Sequence, residues 1–329
     1  MQAFRRILIA VKEPGAKSLP AVTKGAQLAH AFGAKVELFH GITEPVLADA
    51  YFYSEDGLRK FQRDTRTRYL QQLEAIATGL RAEGLDVAVA ADWDFPAHEA
   101  VVRHARRRKT DLIVAECHAG RRLAPWLLHL TDWELLRTSP VPVLLVKNAQ
   151  PWDKPAVLAA LDPSHSFAKP AKLDAQILKA AAAFSSALKG SLHAVHSYLP
   201  VPIGALPSTG ASGALITEIS AASTARAKTG FERALASTRI PRSQQHLAQG
   251  LPVDSIPKVA KDIESGIVVM GAVSRSGLKR VLIGNTAERI LNALTCDVLV
   301  IKPARFTARV APKRKGVRFV GLPQGGMAV

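Results

Sequence analysis

The sequence predicts a parallel α/β protein made of two tandem copies of one unit. Three observations carry this expectation. The chain repeats itself at a spacing of about 155 residues; short apolar runs alternate with helix-period stretches; and those runs are continuously apolar rather than alternating. At 329 residues the chain has room for two domains, each large enough to bury its own core.

The repeat is clearest towards the end of each copy. Asp111-Leu-Ile-Val-Ala115 matches Gly266-Ile-Val-Val-Met270, Thr131-Asp-Trp-Glu-Leu-Leu136 matches Thr286-Ala-Glu-Arg-Ile-Leu291, and Pro142-Val-Leu-Leu-Val-Lys147 matches Asp297-Val-Leu-Val-Ile-Lys302, all at an offset of 155 without a gap. Residues 6–12 precede their counterparts 156–162 by 150, and residues 36–40 precede 192–196 by 156. The border falls at Gln150-Pro151-Trp152-Asp153-Lys154-Pro155, a polar break bearing two prolines. Unit one is thus 1–150 and unit two 151–303.

In unit one the strand-like runs are 7–11, 36–40, 87–91, 112–115 and 143–146, with a long charged helix over 58–82. Asp92 and Asp94 flank Trp93 at the end of the third run. Unit two repeats the plan. Its strands are 156–161, 192–197, 244–248, 267–271 and 297–301, with helices around 169–188, 215–237, 253–263 and 285–294. Five strands with helices between them imply a parallel sheet covered on both faces, and continuous apolar runs suit strands buried on both sides. Residues 199–213, rich in proline, glycine and small side chains, read as a mobile loop, and 304–329 as a flexible basic appendage.

Composition excludes several classes. Apolar residues make up 48% and charged residues 22%, so the chain is not disordered or fibrous. Two cysteines, Cys117 and Cys296, exclude a disulfide framework and a four-cysteine zinc site. No apolar run approaches the ~20 residues of a membrane span, and the apolar start at 7–11 is shorter than a signal-peptide core; a cytoplasmic location with reduced thiols is the expectation. The net charge of +17 is graded: +4 over 1–150, +7 over 151–303, and +6 with no acidic residue over 304–329. Such a balance suits a polyanionic partner. The densest basic run, Arg103-His-Ala-Arg-Arg-Arg-Lys109, closes a helix, where cations also complement the helix dipole. The tail cations Lys313, Arg314, Lys315 and Arg318 suit contact with a phosphate backbone, and with 6% aromatic residues a stacking platform for single strands is not expected.

In open parallel sheets, ligands sit beyond the carboxyl ends of strands where strand order reverses. Asp162 follows the first strand of unit two, and Gly271-Ala-Val-Ser-Arg-Ser-Gly277 and Gly284-Asn-Thr286 follow the fourth. Glycines there let backbone N–H groups approach a phosphate, and Gly284 leads into a helix whose N-terminus favours anions. Arg275, Lys279 and Arg280 add positive charge. Asn285 with Glu288 fits a capping box, and an aspartate at a strand end suits a ribose hydroxyl or an adenine amine. Each element also has a structural reading: a turn glycine, a helix cap, a helix start.

Taken together the arrangement resembles the universal stress protein family over residues 1–303, and its tandem E subgroup most closely. Nucleotide-binding members carry Gly-x₂-Gly-x₉-Gly followed by Ser or Thr, with an Asp ending the first strand. Gly271, Ser274, Gly284 and Thr286 fall on that spacing with Asn285 interposed, Gly277 lies within it, and Asp162 falls on the strand-end Asp. The resemblance implies two five-stranded sandwiches of the adenine nucleotide alpha hydrolase-like type, packed face to face as a pseudo-dimer, with homodimers in prospect. It implies ATP or a related adenine nucleotide in unit two, and a regulatory binding module in stress survival rather than an enzyme, with at most weak ATP hydrolysis. Ser274 departs from the motif, where a serine in a left-handed conformation would cost about 1–2 kcal/mol. Unit one departs further: Lys12 stands for Asp162, Glu116 for Gly271, Ala119 for Ser274, Arg122 for Gly277 and His129 for Gly284. A carboxylate at Glu116 repels phosphate, so unit one is expected not to bind ATP.

The alternatives are a relative that binds no nucleotide and works through protein or small-ligand contacts, and a nucleic-acid-associated protein acting through its tail. Other chemistries are set aside. No P-loop or nucleophile elbow occurs, and no paired-carboxylate site. Cys117, His118 and His129 read as scattered polar residues of a degenerate loop rather than metal ligands, and His193 and His196, three apart on a strand, point to opposite faces.

Overall fold

The computed structural model describes residues 4–43, 55–117, 125–163, 173–200, 213–271, 285–303, 306 and 310–311. Unit one contains β1 (Arg6–Ala10), α1 (Pro20–Phe32), β2 (Lys35–Ile42), α2 (Glu55–Ala82), β3 (Val87–Trp93), α3 (Ala97–Arg108), β4 (Leu112–Glu116), α4 (Pro125–Thr138) and β5 (Val143–Val146). Unit two contains β6 (Ala156–Leu161), α5 (Leu173–Ala187), β7 (Ser191–Tyr198), α6 (Gly213–Leu235), β8 (Gln245–Gln249), α7 (Pro252–Asp262), β9 (Ser265–Gly271), α8 (Asn285–Ala293) and β10 (Asp297–Ile301).

The ten strands among the described residues join one sheet in the order β3-β2-β1-β4-β5-β10-β9-β6-β7-β8. Within each unit every pairing is parallel, and strand order reverses between β1 and β4 and again between β6 and β9. The units meet edge to edge, not face to face: β5 and β10 pair antiparallel. Leu144 faces Leu299, while Val143 faces Val300 and Leu145 faces Val298. Leu144 and Leu299 are equivalent residues of the two copies, so a local two-fold axis passes between them, and the pairing is self-complementary in the manner of a symmetric dimer. The face-to-face expectation fails because β5 and β10 are the short, predominantly apolar edge strands of their units, and an unpaired strand edge is satisfied by another strand.

Two hydrophobic layers cover the sheet, each continuous across both units. Helices α1, α2, α5 and α6 lie on one face, where Phe4, Phe32 and Phe184 pack with ring centroids 5.3–5.5 Å apart, linking the N-terminus, α1 and α5. Helices α3, α4, α7 and α8 lie on the other. Each fully buried Leu, Ile or Val contributes about 1.5–3 kcal/mol. Alanines on the sheet side of α5, at Ala180, Ala181 and Ala183, let its backbone sit close to the strands.

Polar groups also cross the seam. The Lys24 ammonium of α1 pairs with Asp297 at the start of β10, with the two side chains 1% and 0% exposed. The other oxygen of Asp297 accepts from the backbone N–H groups of Lys147 and Asn148 at 2.7 and 3.1 Å. Lys147 donates its ammonium to the carbonyls of Leu291 and Leu294, capping α8 from the other unit. Trp152 and Gln27 exchange two hydrogen bonds of 2.7 and 3.1 Å, and the Trp152 ring lies 4.7 Å from the Lys24 ammonium.

Of the C-terminal appendage, residues 306, 310 and 311 are described. Val310 is buried in the layer that contains α3, and the Arg103 guanidinium donates to the Ala311 carbonyl at 3.0 Å. The 199–213 reading falls mostly outside the described residues.

Candidate functional site

Asp162 directly follows β6 and Gly271 ends β9, so the two stand side by side at the carboxyl end of unit two, where strand order reverses. The register Ala159↔Val269 carried forward places Leu161 beside Gly271. The antiparallel seam sends the carboxyl ends of the two units to opposite rims of the sheet.

Asp162 is held by its backbone. Its N–H donates to the Asp174 carboxylate of the first turn of α5 at 3.1 Å. One residue earlier, the Leu161 carbonyl lies 3.3 Å from Nδ1 of His196, a buried histidine of β7. Unit one repeats this: Nδ1 of His40 lies 2.9 Å from the carbonyl of Val11, the residue before Lys12. The imidazole therefore fixes the end of the first strand in both copies. The pairing of His40 with His196 is visible in the repeat, which was the signal for it.

Gly271 has a packing reason to lack a side chain. A Cβ there would meet Leu173 Cδ2 at 2.7 Å and Ile177 Cδ1 at 3.2 Å, so glycine lets α5 close over the end of β9. Asn285 and Thr286 open α8, which places a helix N-terminus after the β9 loop, and Thr286 is exposed. Ser274, Gly277 and Gly284 lie outside the described residues, as does the Asn285 side chain. The carboxylate of Glu288, the expected capping-box partner, accepts from Arg137 of α4 at 2.8 Å, across the unit boundary.

The equivalent place in unit one carries charges. Lys12 pairs with Asp132 at 2.7 Å, and Glu116 ends β4 beside them. Burial raises the Glu116 carboxyl above its ordinary range, with Lys12 opposing and Glu13 and Asp132 reinforcing the rise. Burial also raises Cys117, and takes Cys296 to about 11, so neither thiol is an activated nucleophile. A cleft of about 390 Å³ opens beside Lys12 against Arg68, Tyr69 and Gln72 of α2.

His193 and His196 do occupy opposite faces. Nδ1 of His193 lies 3.1 Å from Nε2 of His246 on β8, while His196 packs towards Phe231 on the other side. Among the described residues there is no cluster of three or more His, Cys, Asp or Glu able to hold a metal ion, and no helix long and apolar enough to cross a membrane.

A tandem parallel sandwich in which strand order reverses once within each unit defines the class of protein, and the comparisons agree. The family model described as "Universal stress protein family" matches residues 3–147 and 170–302. The chain belongs to the universal stress protein family. It is similar to Universal stress protein E of Escherichia coli (strain K12), with 27% identity over 332 residues covering 94% of this chain and 98% of that protein. Among solved structures it resembles a functionally unknown protein from Pseudomonas aeruginosa PAO1, with a TM-score of 0.71 and 26% identity over 92% of this chain and 94% of that one. A universal stress protein from Archaeoglobus fulgidus shares the fold, with a TM-score of 0.58 and 16% identity over 92% of this chain and 99% of that one.

Proposed function

We propose that this tandem universal stress protein is a cytoplasmic regulatory binding module that holds ATP or a related adenine nucleotide in unit two. Asp162 takes the base or ribose. Gly271, Ser274, Gly277, Gly284, Asn285 and Thr286 surround the phosphates. Unit one serves as the scaffold that pairs with unit two, its own crossover occupied by Lys12, Glu116 and Asp132.

The observation that supports this most is positional. Asp162, Gly271 and the N-terminus of α8 converge on the crossover end of β6 and β9, where a carboxylate, a bare backbone and a helix dipole suit a ribose and its phosphates. These groups suit binding rather than bond cleavage, which supports a regulatory module over an enzyme.

Mass spectrometry of ligand released from the purified, denatured chain, with ATP titration calorimetry, tests the reading. Near one adenine nucleotide per chain, lost in Gly284→Glu, is the expected result. No nucleotide and no heat would overturn it. The packing of Leu173 and Ile177 against Gly271 favours a second reading, in which that glycine is structural and the chain acts through protein or small-ligand contacts.

A further inference from the structure

The sheet has two free ends, β3 and β8, and these are the third strands of the two copies. The fold finishes them differently. We propose that β8 is an interaction edge: a second copy of this chain adds its own β8 to it, antiparallel, and joins two ten-stranded sheets into one.

The β3 end is guarded. The Val36 N–H donates to the Asp86 carbonyl at 2.9 Å, so residues 86, 88, 90 and 92 turn their backbone towards β2. The outward carbonyls then belong to Val87, Val89, Ala91 and Trp93. Two of them are taken by arginines of α2. Arg81 donates to the Val87 carbonyl through Nε and Nη2 at 3.0 and 2.8 Å, and Arg66 donates to the Ala91 carbonyl through Nε at 2.7 Å. A strand arriving here has to displace both guanidinium groups. Charged side chains laid along an edge in this way keep it from pairing.

The β8 end carries no such guard. The Gly250 N–H donates to the Tyr198 carbonyl at 2.8 Å, so His246, Ala248 and Gly250 face β7 while Gln245, Leu247 and Gln249 face outward. The Gln245 N–H closes the preceding turn on the Arg242 carbonyl. Both backbone groups of Leu247 and Gln249, and the carbonyl of Gln245, have no protein partner among the described residues. Helix α6 stands where α2 does in unit one. Its Arg226, Lys228 and Arg233 are exposed, and none bonds β8. The strand Gln245-His-Leu-Ala-Gln249 contains no Lys, Arg, Asp, Glu or Pro, and its register with β7 is unbroken. Charge, proline and bulge, the devices that blunt an open edge, are all missing. His246 adds no charge at neutral pH either: burial lowers its pKa below 6.5, and its Nε2 lies 3.1 Å from Nδ1 of His193.

A second copy fits this edge because the edge is complementary to itself. A two-fold axis through Leu247 lets that residue exchange both N–H···O bonds with its equivalent. The Gln249 N–H then donates to the Gln245 carbonyl of the second copy, the outward acceptor that the local turn leaves open. No like charges meet. The chain already uses this mode at its own seam, where the equivalent strands β5 and β10 pair antiparallel about a local two-fold axis. Leu251, just past the strand, is 40% exposed, and with Phe95 it makes up the exposed large apolar residues among those described. A neighbouring copy covers it. With β3 guarded, each chain offers one edge, and assembly stops at two.

The test is sedimentation equilibrium of the full chain between about 1 and 500 μM, the range in which a small interface associates. The chain should pass from one copy to two and go no further. Gln249→Pro removes an outward N–H and leaves the bonds to β7 intact, and Gln249→Lys puts a charge on the exposed edge. Each should weaken self-association by at least about tenfold, with the melting temperature of the dilute chain unchanged. Hydrogen exchange locates the contact. The amides of Leu247 and Gln249 should exchange fast in dilute solution and slowly in concentrated solution, while those of His246 and Ala248 stay slow throughout. Four results would overturn the proposal: a single chain at every concentration; association that neither variant weakens, or that leaves the two outward amides unprotected; growth beyond two chains, which would show β3 to be open as well; or a chain that stays single while an added extended peptide protects those amides, which would assign the edge to a strand of another protein.

Discussion

Lys24 and Asp297, 273 residues apart, form a buried ion pair that ties the first helix of one unit to the last strand of the other. The position equivalent to Asp297 in unit one is Pro142, so the pair exists on one side of the two-fold axis alone. Removing one partner of a buried pair leaves a charge without compensation and costs about 3–5 kcal/mol. Lys24→Met should therefore lower the urea midpoint of unfolding by that equivalent. Arg137 with Glu288 also crosses the boundary, but their side chains are 20% and 28% exposed, and Arg137→Met should cost less than about 1 kcal/mol. Equal losses in the two variants would contradict this ranking.

Gly271→Ala puts a methyl group against Leu173 and Ile177. Overpacking of this kind costs about 1–3 kcal/mol. In combination with Leu173→Ala the loss should be smaller than the sum of the two single losses, because the second change makes room for the first. Additive losses in thermal or urea unfolding would show that the contact is not what excludes a side chain at 271.

Lys302, equivalent to Lys147, has a different fate. Its ammonium lies 4.9 Å from the Phe306 ring centre, and burial lowers its pKa from 10.5 to about 8. The unfolded chain therefore holds this proton more tightly than the folded one between pH 8 and 10.5, and the group's contribution to stability rises with pH across that window. Lys302→Met should remove this rise. It should also stabilise the protein at pH 7, by about 3 kcal/mol at most on the 1.36 kcal/mol per unit scale. A variant whose stability tracks the wild type from pH 7 to 10.5 would refute this.

His104 has the opposite sign. Burial alone would lower its pKa, but the carboxylates of Asp92 and Glu37 outweigh burial and raise it above 6.5. Its stabilisation is complete below pH 6.5 and is lost as pH rises through the raised value. The advantage of wild type over His104→Gln in urea should shrink from pH 6 to pH 9. A constant difference would show that the imidazole acts by stacking on Phe39, at 4.2 Å between centroids, and not by its charge.

Much of this architecture is legible in the sequence, because the buried strands announce themselves. The runs at 143–146, 156–161 and 297–301 coincide with β5, β6 and β10. At the outer edge the signal weakens. β8, Gln245–Gln249, is half-exposed and polar, and its predicted span slips by one residue. The contrast between the polar, half-exposed β8 and the wholly buried β5 and β10 carries information about the seam, although β3, the other open edge, is largely apolar. Contacts between units are less legible. The helical spacing of Asn285 and Glu288 reads as a local cap, but that the carboxylate also takes Arg137, 151 residues away, is something no periodicity within one helix encodes. At the site, the position of Asp162 follows from strand order, but the glycine at 271 has two sufficient physical reasons, and spacing alone does not choose between them.

Two free copies joined along strands such as β5 and β10 would separate on dilution. In one chain the partner is tethered, at an effective concentration on the order of millimolar for a short linker, so the seam holds at any protein concentration. The tether also fixes which copy meets which. In a dimer of identical chains every substitution appears twice and must suit both halves. Here Lys12, Glu116 and Asp132 stand in one half while Asp162 and Gly271 stand in the other, and each half carries a chemistry the other has no need to share.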